Sequence, residues 1–256
     1  MKIVAFVNEN GYKQLLSAGL ESSIELVIGP HNRYEKFKLL ENNCTHKLIQ
    51  HVKKDDDNFK DFVETIRNIE PDLILSNSYS CLIPSEIFKI AKYSINIHGA
   101  ILPKYQGCAT EIWAFLNYEK NFGVTAHILD EHFDTGEIVH IEHFKIEDVD
   151  TAVEFKKKKY ISIVECIKRV IEIVTKDKVS EVSYRQNRDE SIYWKPYTSD
   201  DLVLNSKMPI TYVNAMVKAF FPSTDKLRYE SGESIDTVRA LNDMNNFYKS
   251  IDKTNV

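Results

Sequence analysis

Cysteine is scarce in this chain of 256 residues, and the four present (Cys44, Cys81, Cys108, Cys166) are widely and irregularly spaced. No CxxC pair exists, so neither a zinc ribbon nor a thioredoxin-type redox pair is suggested, and four ordinary reduced thiols are expected. No run of eighteen apolar residues occurs, which leaves no transmembrane helix to read. The opening apolar run, Ile3–Val7, is too short for a signal-peptide core, and polar residues follow it. A cytoplasmic location is the expectation. An excess of positive charge is missing as well. The net charge is −5 and the basic residues are dispersed, which argues against nucleic acid as a partner. Glycine numbers only eight, and no Gly-rich phosphate loop follows the first strand, where the chain reads Asn8-Glu9-Asn10-Gly11-Tyr12.

What is present is ordinary for a globular protein: 43% apolar and 28% charged residues, with a length that suits one sizeable domain and a smaller appendage. The first half alternates short apolar runs with amphipathic stretches. Strands are predicted at Lys2–Val7, Glu25–Gly29, Lys47–His51, Asp72–Ser76, Ser94–His98, Gly123–Asp130 and Glu137–Phe144. Helices are predicted at Tyr12–Ala18, Tyr34–Asn42 and Phe59–Asn68. Near-continuous apolar runs such as Leu73–Leu75 suit strands buried on both faces, and helices between them imply parallel pairing. The expected fold is therefore α/β, a Rossmann-like, mostly parallel sheet with helices on both faces.

Thr151–Lys176 reads as one long helix, with Phe155, Ile163, Ile167, Ile171 and Val174 near helical spacing. The lysine run 156–159 lies inside it and is read as a solvated face. The character changes near Val179, which divides the chain into an expected catalytic domain, 1–178, and a small C-terminal extension, 179–256. In that extension Ser191–Leu204 is expected to form a strand and a loop, and Pro209–Phe220 a helix. A weaker amphipathic pattern runs through Ile235, Val238, Leu241 and Tyr248.

The chemistry concentrates in Asn96–Gly136. Asn96 and His98 are two apart at the end of a buried strand, so both side chains face one side at the carboxyl edge of the sheet, where such sheets bind ligands. Gly99, Pro103 and Gly107 then turn the chain away. A second strand leads to Asp134-Thr135-Gly136, whose carboxylate meets His98 if the two strands are neighbours. An amide, an imidazole and a carboxylate suit acyl transfer to an amine. Asn96 and a protonated His98 can stabilise the developing oxyanion, while the acid orients the imidazole and can accept a proton. Taken singly, the same residues also fit a structural histidine and an ordinary turn. A second cluster, His127, His132, His140 and His143, raises a metal site as an alternative. His140 and His143 differ in strand parity and point apart, so no metal is expected there.

The longer string is N-x-H-x-x-x-L-P-K-Y-x-G, then G-V-T-x-H-x-x-D, then D-T-G. It resembles the folate-dependent formyltransferases, a family that includes methionyl-tRNA formyltransferase and the sugar N-formyltransferases. That resemblance implies an enzyme with Asn96, His98 and Asp134 at the catalytic positions. It also implies N10-formyltetrahydrofolate as co-substrate, flanked by Tyr79, Leu82, Ile83, Leu129, Asp130 and Thr135. Ala100 and Gln106 depart from the family's usual serine and arginine. Size favours the sugar enzymes within the family, acting on a dTDP- or UDP-linked amino deoxysugar such as dTDP-4-amino-4,6-dideoxyglucose for surface-glycan synthesis. Lys104, Tyr105, Gln106, Trp194 and Tyr197 are then the expected substrate contacts, with a homodimer formed through the C-terminal region. For the aromatics of the extension, packing onto the main domain is the favoured alternative. An acceptor other than a sugar, or a non-catalytic binding protein on the same scaffold, stays open at this level.

Overall fold

The computed structural model describes residues 1–31, 34–204, 208–221 and 227–229. The amphipathic pattern read at 235–248 lies outside them. The elements run β1 (Ile3–Val7), α1 (Glu9–Ser17), β2 (Ile24–Gly29), α2 (Tyr34–Asn43), β3 (Leu48–Gln50), α3 (Phe59–Arg67), β4 (Leu73–Asn77), α4 (Ser85–Phe88) and β5 (Tyr93–His98). There follow β6 (Gln106–Gly107), α5 (Thr110–Leu116), β7 (Asn121–Ile128), β8 (Ile138–Lys145), α6 (Ala152–Thr175), α7 (Val179–Val182), β9 (Tyr193–Trp194), β10 (Val203–Leu204), α8 (Ile210–Phe220) and β11 (Arg228–Tyr229).

Seven strands form one sheet in the order β3-β2-β1-β4-β5-β7-β8. The five strands from β3 to β5 are parallel, and β7 joins β5 antiparallel. This is the α/β architecture read from the alternating pattern. β1 and the first four residues of β4 have no polar side chain on either face except Ser76, because helices cover both sides. One face buries Tyr12 and Leu15 of α1 with Ile163, Cys166, Ile167 and Val170 of α6. The other buries Phe59, Phe62 and Ile66 of α3 with Ile87 and Phe88 of α4. Ile167 is wholly buried, and truncating such a side chain to alanine costs about 2–5 kcal/mol.

Some boundaries differ from the sequence reading. α1 begins at Glu9 rather than Tyr12 because the Asn8 side chain caps it, accepting from Gly11 N at 2.9 Å. The strand expected at Gly123–Asp130 runs instead from Asn121 to Ile128. Helices α4 and α5, of four and seven residues, are too short to show a helical period.

The chain divides into two compact units. The first comprises Met1–Gln106, Gly123–Phe144 and Lys159–Tyr193 and holds the large sheet. The second comprises Gly107–Phe122, Lys145–Lys158 and Trp194–Val256. Within the second, Phe155 packs against Phe115 and Phe122, each at 5.5 Å between ring centroids. The lysine run is less uniformly solvated than its charge suggests: Lys158 pairs with the buried Asp150 and donates to the Lys145 carbonyl at 3.1 Å.

Candidate active site

β5 ends in Asn96-Ile97-His98, and alternation sends Ile95 and Ile97 into the core with α6 while Asn96 and His98 face the other way. The antiparallel register sets Asn96 opposite His127 and His98 opposite Thr125 on β7. Asn96 Nδ2 lies 3.0 Å from His127 Nε2, and His127 Nδ1 lies 2.9 Å from the Ile128 carbonyl. A carbonyl only accepts, so His127 carries a proton on Nδ1, while its Nε2 faces the Asn96 amide and, at 3.6 Å, Asp134 Oδ1.

His98 is held from two sides. Its Nε2 donates to the Tyr105 carbonyl at 2.7 Å, and its Nδ1 faces Asp134 Oδ1 at 3.2 Å. Both partners are acceptors, the environment of an imidazole that donates at both nitrogens. His98 and Asp134 are 9% and 8% exposed, dry enough to strengthen their attraction yet still reachable. Burial pushes the Asp134 carboxyl up, but the adjacent rings of His98 and then His127, whose Nε2 lies 3.6 Å from Asp134 Oδ1, override it and hold the acid well below the usual carboxylate range.

The loop from β7 to β8 brings Asp134 back. Asp134 itself adopts a left-handed backbone, φ 59°, a conformation Asp tolerates better than most residues. At Gly136 a Cβ would lie 1.8 Å from the Ile128 carbonyl oxygen, so only glycine lets the loop close this tightly. Two glutamines then clamp the loop. Gln186 Nε2 donates to the carbonyls of Asp134 (3.0 Å) and Gly136 (2.7 Å), and Gln106 Nε2 donates to the Asp134 carbonyl at 3.1 Å. On the other side Thr125 Oγ1 donates to the Ala100 carbonyl and accepts from Leu102 N, which fixes the chain leaving His98. Beside Asp134 opens a cavity of about 900 Å³, reaching Gln106, Thr135 and Gly136 and rimmed by Asp130, His132, Arg185 and Arg188.

The amide, imidazole and acid expected from the sequence thus meet at the carboxyl edge of the sheet. The same residues, 1–187, match the family model described as formyl transferase. The chain belongs to the formyl transferase family. Among relatives, it is 31% identical over 180 residues to a methionyl-tRNA formyltransferase of Thermodesulfovibrio yellowstonii, covering 70% of this chain and 56% of that one. It is 30% identical over 167 residues to a GDP-perosamine N-formyltransferase of Brucella melitensis, covering 64% and 63%. The chain spans 32%, 56% and 63% of the lengths of the first three curated relatives it matches. In fold it is similar to an N-formyltransferase of Helicobacter canadensis, solved with folinic acid and dTDP-3-aminofucose. That likeness has a TM-score of 0.62 at 21% identity, over 93% of this chain and 85% of that one.

The residues expected around a pterin fall on two loops of the first unit. Leu82 is exposed, whereas Ile83 is buried against α3 and α4. Tyr79 is half-buried with its hydroxyl 2.5 Å from His51 Nδ1. Asp130 accepts from Thr135 Oγ1 at 2.8 Å and from His132 N at 3.2 Å, which shapes the loop rather than leaving the carboxylate idle. Leu129 packs beside the α3 and α4 face.

The residues expected to contact substrate are more scattered. The Tyr105 side chain is 1% exposed and therefore sealed in the core; its carbonyl, not its ring, serves the site. Lys104 Nζ lies over the Tyr105 ring at 5.6 Å. Trp194 stacks on Trp113 at 4.8 Å, and Tyr197 meets Phe220 edge-on at 5.3 Å, both inside the second unit. Of the four histidines weighed as a metal cluster, His127 instead serves Asn96 and His140 sits 3.2 Å from Glu142. Sequence reasoning missed Arg185, Gln186 and Arg188. Their one signal is a pair of arginines in the polar stretch SYRQNRDES.

Proposed function

We propose that this chain transfers a formyl group from N10-formyltetrahydrofolate to the amine of a nucleotide-linked amino deoxysugar. The observation that carries the reading is the His98–Asp134 contact with Asn96 beside it, on a loop whose next residues, Thr135 and Gly136, line a cavity large enough for a ligand of drug size or more. The relatives that act on a nucleotide-linked sugar support the acceptor class. The arginines on the cavity rim support it too, because a nucleotide diphosphate asks for guanidinium partners. dTDP-4-amino-4,6-dideoxyglucose is the specific acceptor proposed, in cytoplasmic synthesis of a surface glycan. Residues 1–178 would form the catalytic part, with 179–256 assisting substrate binding or a homodimer contact.

In this mechanism the amine nitrogen attacks the formyl carbon, and the carbonyl oxygen takes up negative charge. Asn96 spends one amide N–H on His127 and keeps a second for that oxygen. His98, when protonated, adds positive charge nearby. A carboxylate held as low as Asp134 is a weak base, so its part is to orient the His98 ring. The carbon–N10 bond then breaks, and the proton lost by the amine balances the one gained by the departing tetrahydrofolate. Tyr79, Leu82, Ile83, Leu129, Asp130 and Thr135 would flank the pterin; Lys104 and Gln106 would stand on the acceptor side. The test is incubation of the purified chain with N10-formyltetrahydrofolate and a panel of nucleotide-linked amino sugars. Release of tetrahydrofolate that depends on one sugar, with a formylated product by mass, is expected. Release that ignores every sugar, or none at all, would defeat the reading.

A further inference from the structure

Three side chains on the far side of the sheet edge come together without any part in the site above. His31 follows β2, His51 follows β3, and Cys81 follows β4, so parallel strands deliver all three to one edge. Each offers a ligand atom, and these atoms lie within 4.8 Å of one another. His51 is 5% and Cys81 8% exposed, and His31 Nδ1 is buried with no hydrogen-bond partner among the described residues. A buried polar atom without a partner is uncommon enough to need a reason.

We propose that His31, His51 and Cys81 form a three-ligand site for Zn²⁺, with solvent as the fourth ligand. Two imidazoles and a thiolate are the donor set that zinc favours, and three protein ligands with one open position is a recognised zinc arrangement. Ligand atoms around tetrahedral zinc stand about 3.3–3.6 Å apart, given Zn–N and Zn–S bonds of about 2.0–2.3 Å. An inward movement of roughly 1 Å therefore closes the site. His51 is already oriented for it. Its ring packs against Phe62 (5.7 Å) and Tyr79 (5.9 Å), and its Nδ1 is paired with the Tyr79 hydroxyl, which fixes the ring plane. Burial, and then the facing His31, lower the His51 pKa to about 4, so the ring is a neutral ligand at physiological pH with little proton competition. Burial also lowers that of His31. Bound zinc would pin the Tyr79–Ile83 segment to the ends of β2 and β3. None of the three ligands belongs to the proposed catalytic set, although Tyr79, which pairs with His51, is among the residues proposed to flank the pterin.

The test uses the full chain, stripped with chelator and titrated with Co²⁺ and then Zn²⁺. One equivalent should bind with a near-ultraviolet thiolate-to-cobalt band, displaced by Zn²⁺, and Zn²⁺ should raise the thermal midpoint. Cys81→Ser should abolish the band, and His31→Gln, near the surface, should weaken binding by roughly tenfold or more. Cys108→Ser should change neither. The idea is overturned if no stoichiometric band forms, if the band survives Cys81→Ser, or if it disappears with Cys108→Ser. Should Cys81→Ser fail to fold, unchanged affinity in His31→Gln overturns it alone. Zinc bound without any thiolate band would mark an adventitious ion on surface histidines.

Discussion

His98 and Asp134 lie 36 positions apart in the chain, yet Nδ1 of the first stands 3.2 Å from Oδ1 of the second, each nine-tenths buried. No third side chain is needed to hold the imidazole, because the Tyr105 carbonyl takes its other N–H at 2.7 Å. The pair is locked in one orientation at the end of β5, and preorganised polar groups are what stabilisation of a developing oxyanion requires.

Replacing either member should therefore stop turnover while sparing the fold. His98→Ala and Asp134→Asn are each expected to lower kcat by at least ~100-fold, the usual scale for an acid–base or oxyanion group. Circular dichroism should stay native. Near-normal kcat in a folded variant would remove that residue from the mechanism.

Gln186 is expected to act as a positioning residue. It donates to two carbonyls of the Asp134 loop, so Gln186→Ala takes this donor from the Gly136 carbonyl and leaves the Asp134 carbonyl with Gln106 alone, at a cost of about 1–3 kcal/mol. Because the loop carries Asp134, kcat should fall more than KM rises. Recovery of kcat in Gln186→Asn but not in Gln186→Leu would separate hydrogen bonding from shape, and equal kcat in all three would refute the role.

Gly136 tests the loop itself. A methyl group there would meet the Ile128 carbonyl at 1.8 Å, and neither backbone segment can yield cheaply. Gly136→Ala should destabilise by about 1–3 kcal/mol and displace Asp134. An unchanged urea midpoint together with unchanged activity would contradict the close approach.

Stability should depend on pH through His51. Its folded pKa of about 4 lies below the unfolded value, so the unfolded chain binds more protons between about pH 4 and 6.5. Stability is thus complete above about pH 6.5 and declines as pH falls toward 4, by roughly 3 kcal/mol in metal-free protein. Urea titrations across that range check the slope, which His51→Gln should flatten. The Asp134 carboxyl, depressed by His98, adds a loss only at pH values below the ordinary carboxylate range.

Trp194 and Tyr197 separate packing from ligand stacking. The stacked pair with Trp113 at 4.8 Å predicts that Trp194→Ala lowers the thermal midpoint in the absence of any ligand. An unchanged midpoint with a raised KM for the nucleotide sugar would assign the ring to the substrate instead.

What could be read along the chain was whatever one strand or one helix decides locally. Period-two alternation placed Asn96 and His98 on one face, continuous apolar runs marked β1 and β4 as buried on both sides, and the long apolar stripe of α6 needed no partner to be seen. Short elements such as α4 and α5 carry too few residues for a period, and the capping of α1 by Asn8 moved its start. Contacts that join distant segments left no such trace. His127 meeting Asn96 depends on antiparallel register, Gln186 reaching the Asp134 loop depends on a segment fifty residues further on, and Tyr105, expected to contact substrate, has its ring sealed inside by the fold. His31, His51 and Cys81 have no spacing of any known metal motif, because three parallel strands with helical crossovers set their separation. Local sequence decides which side chains share a face; only the closing of the sheet, driven by burial of both its faces, decides which faces meet.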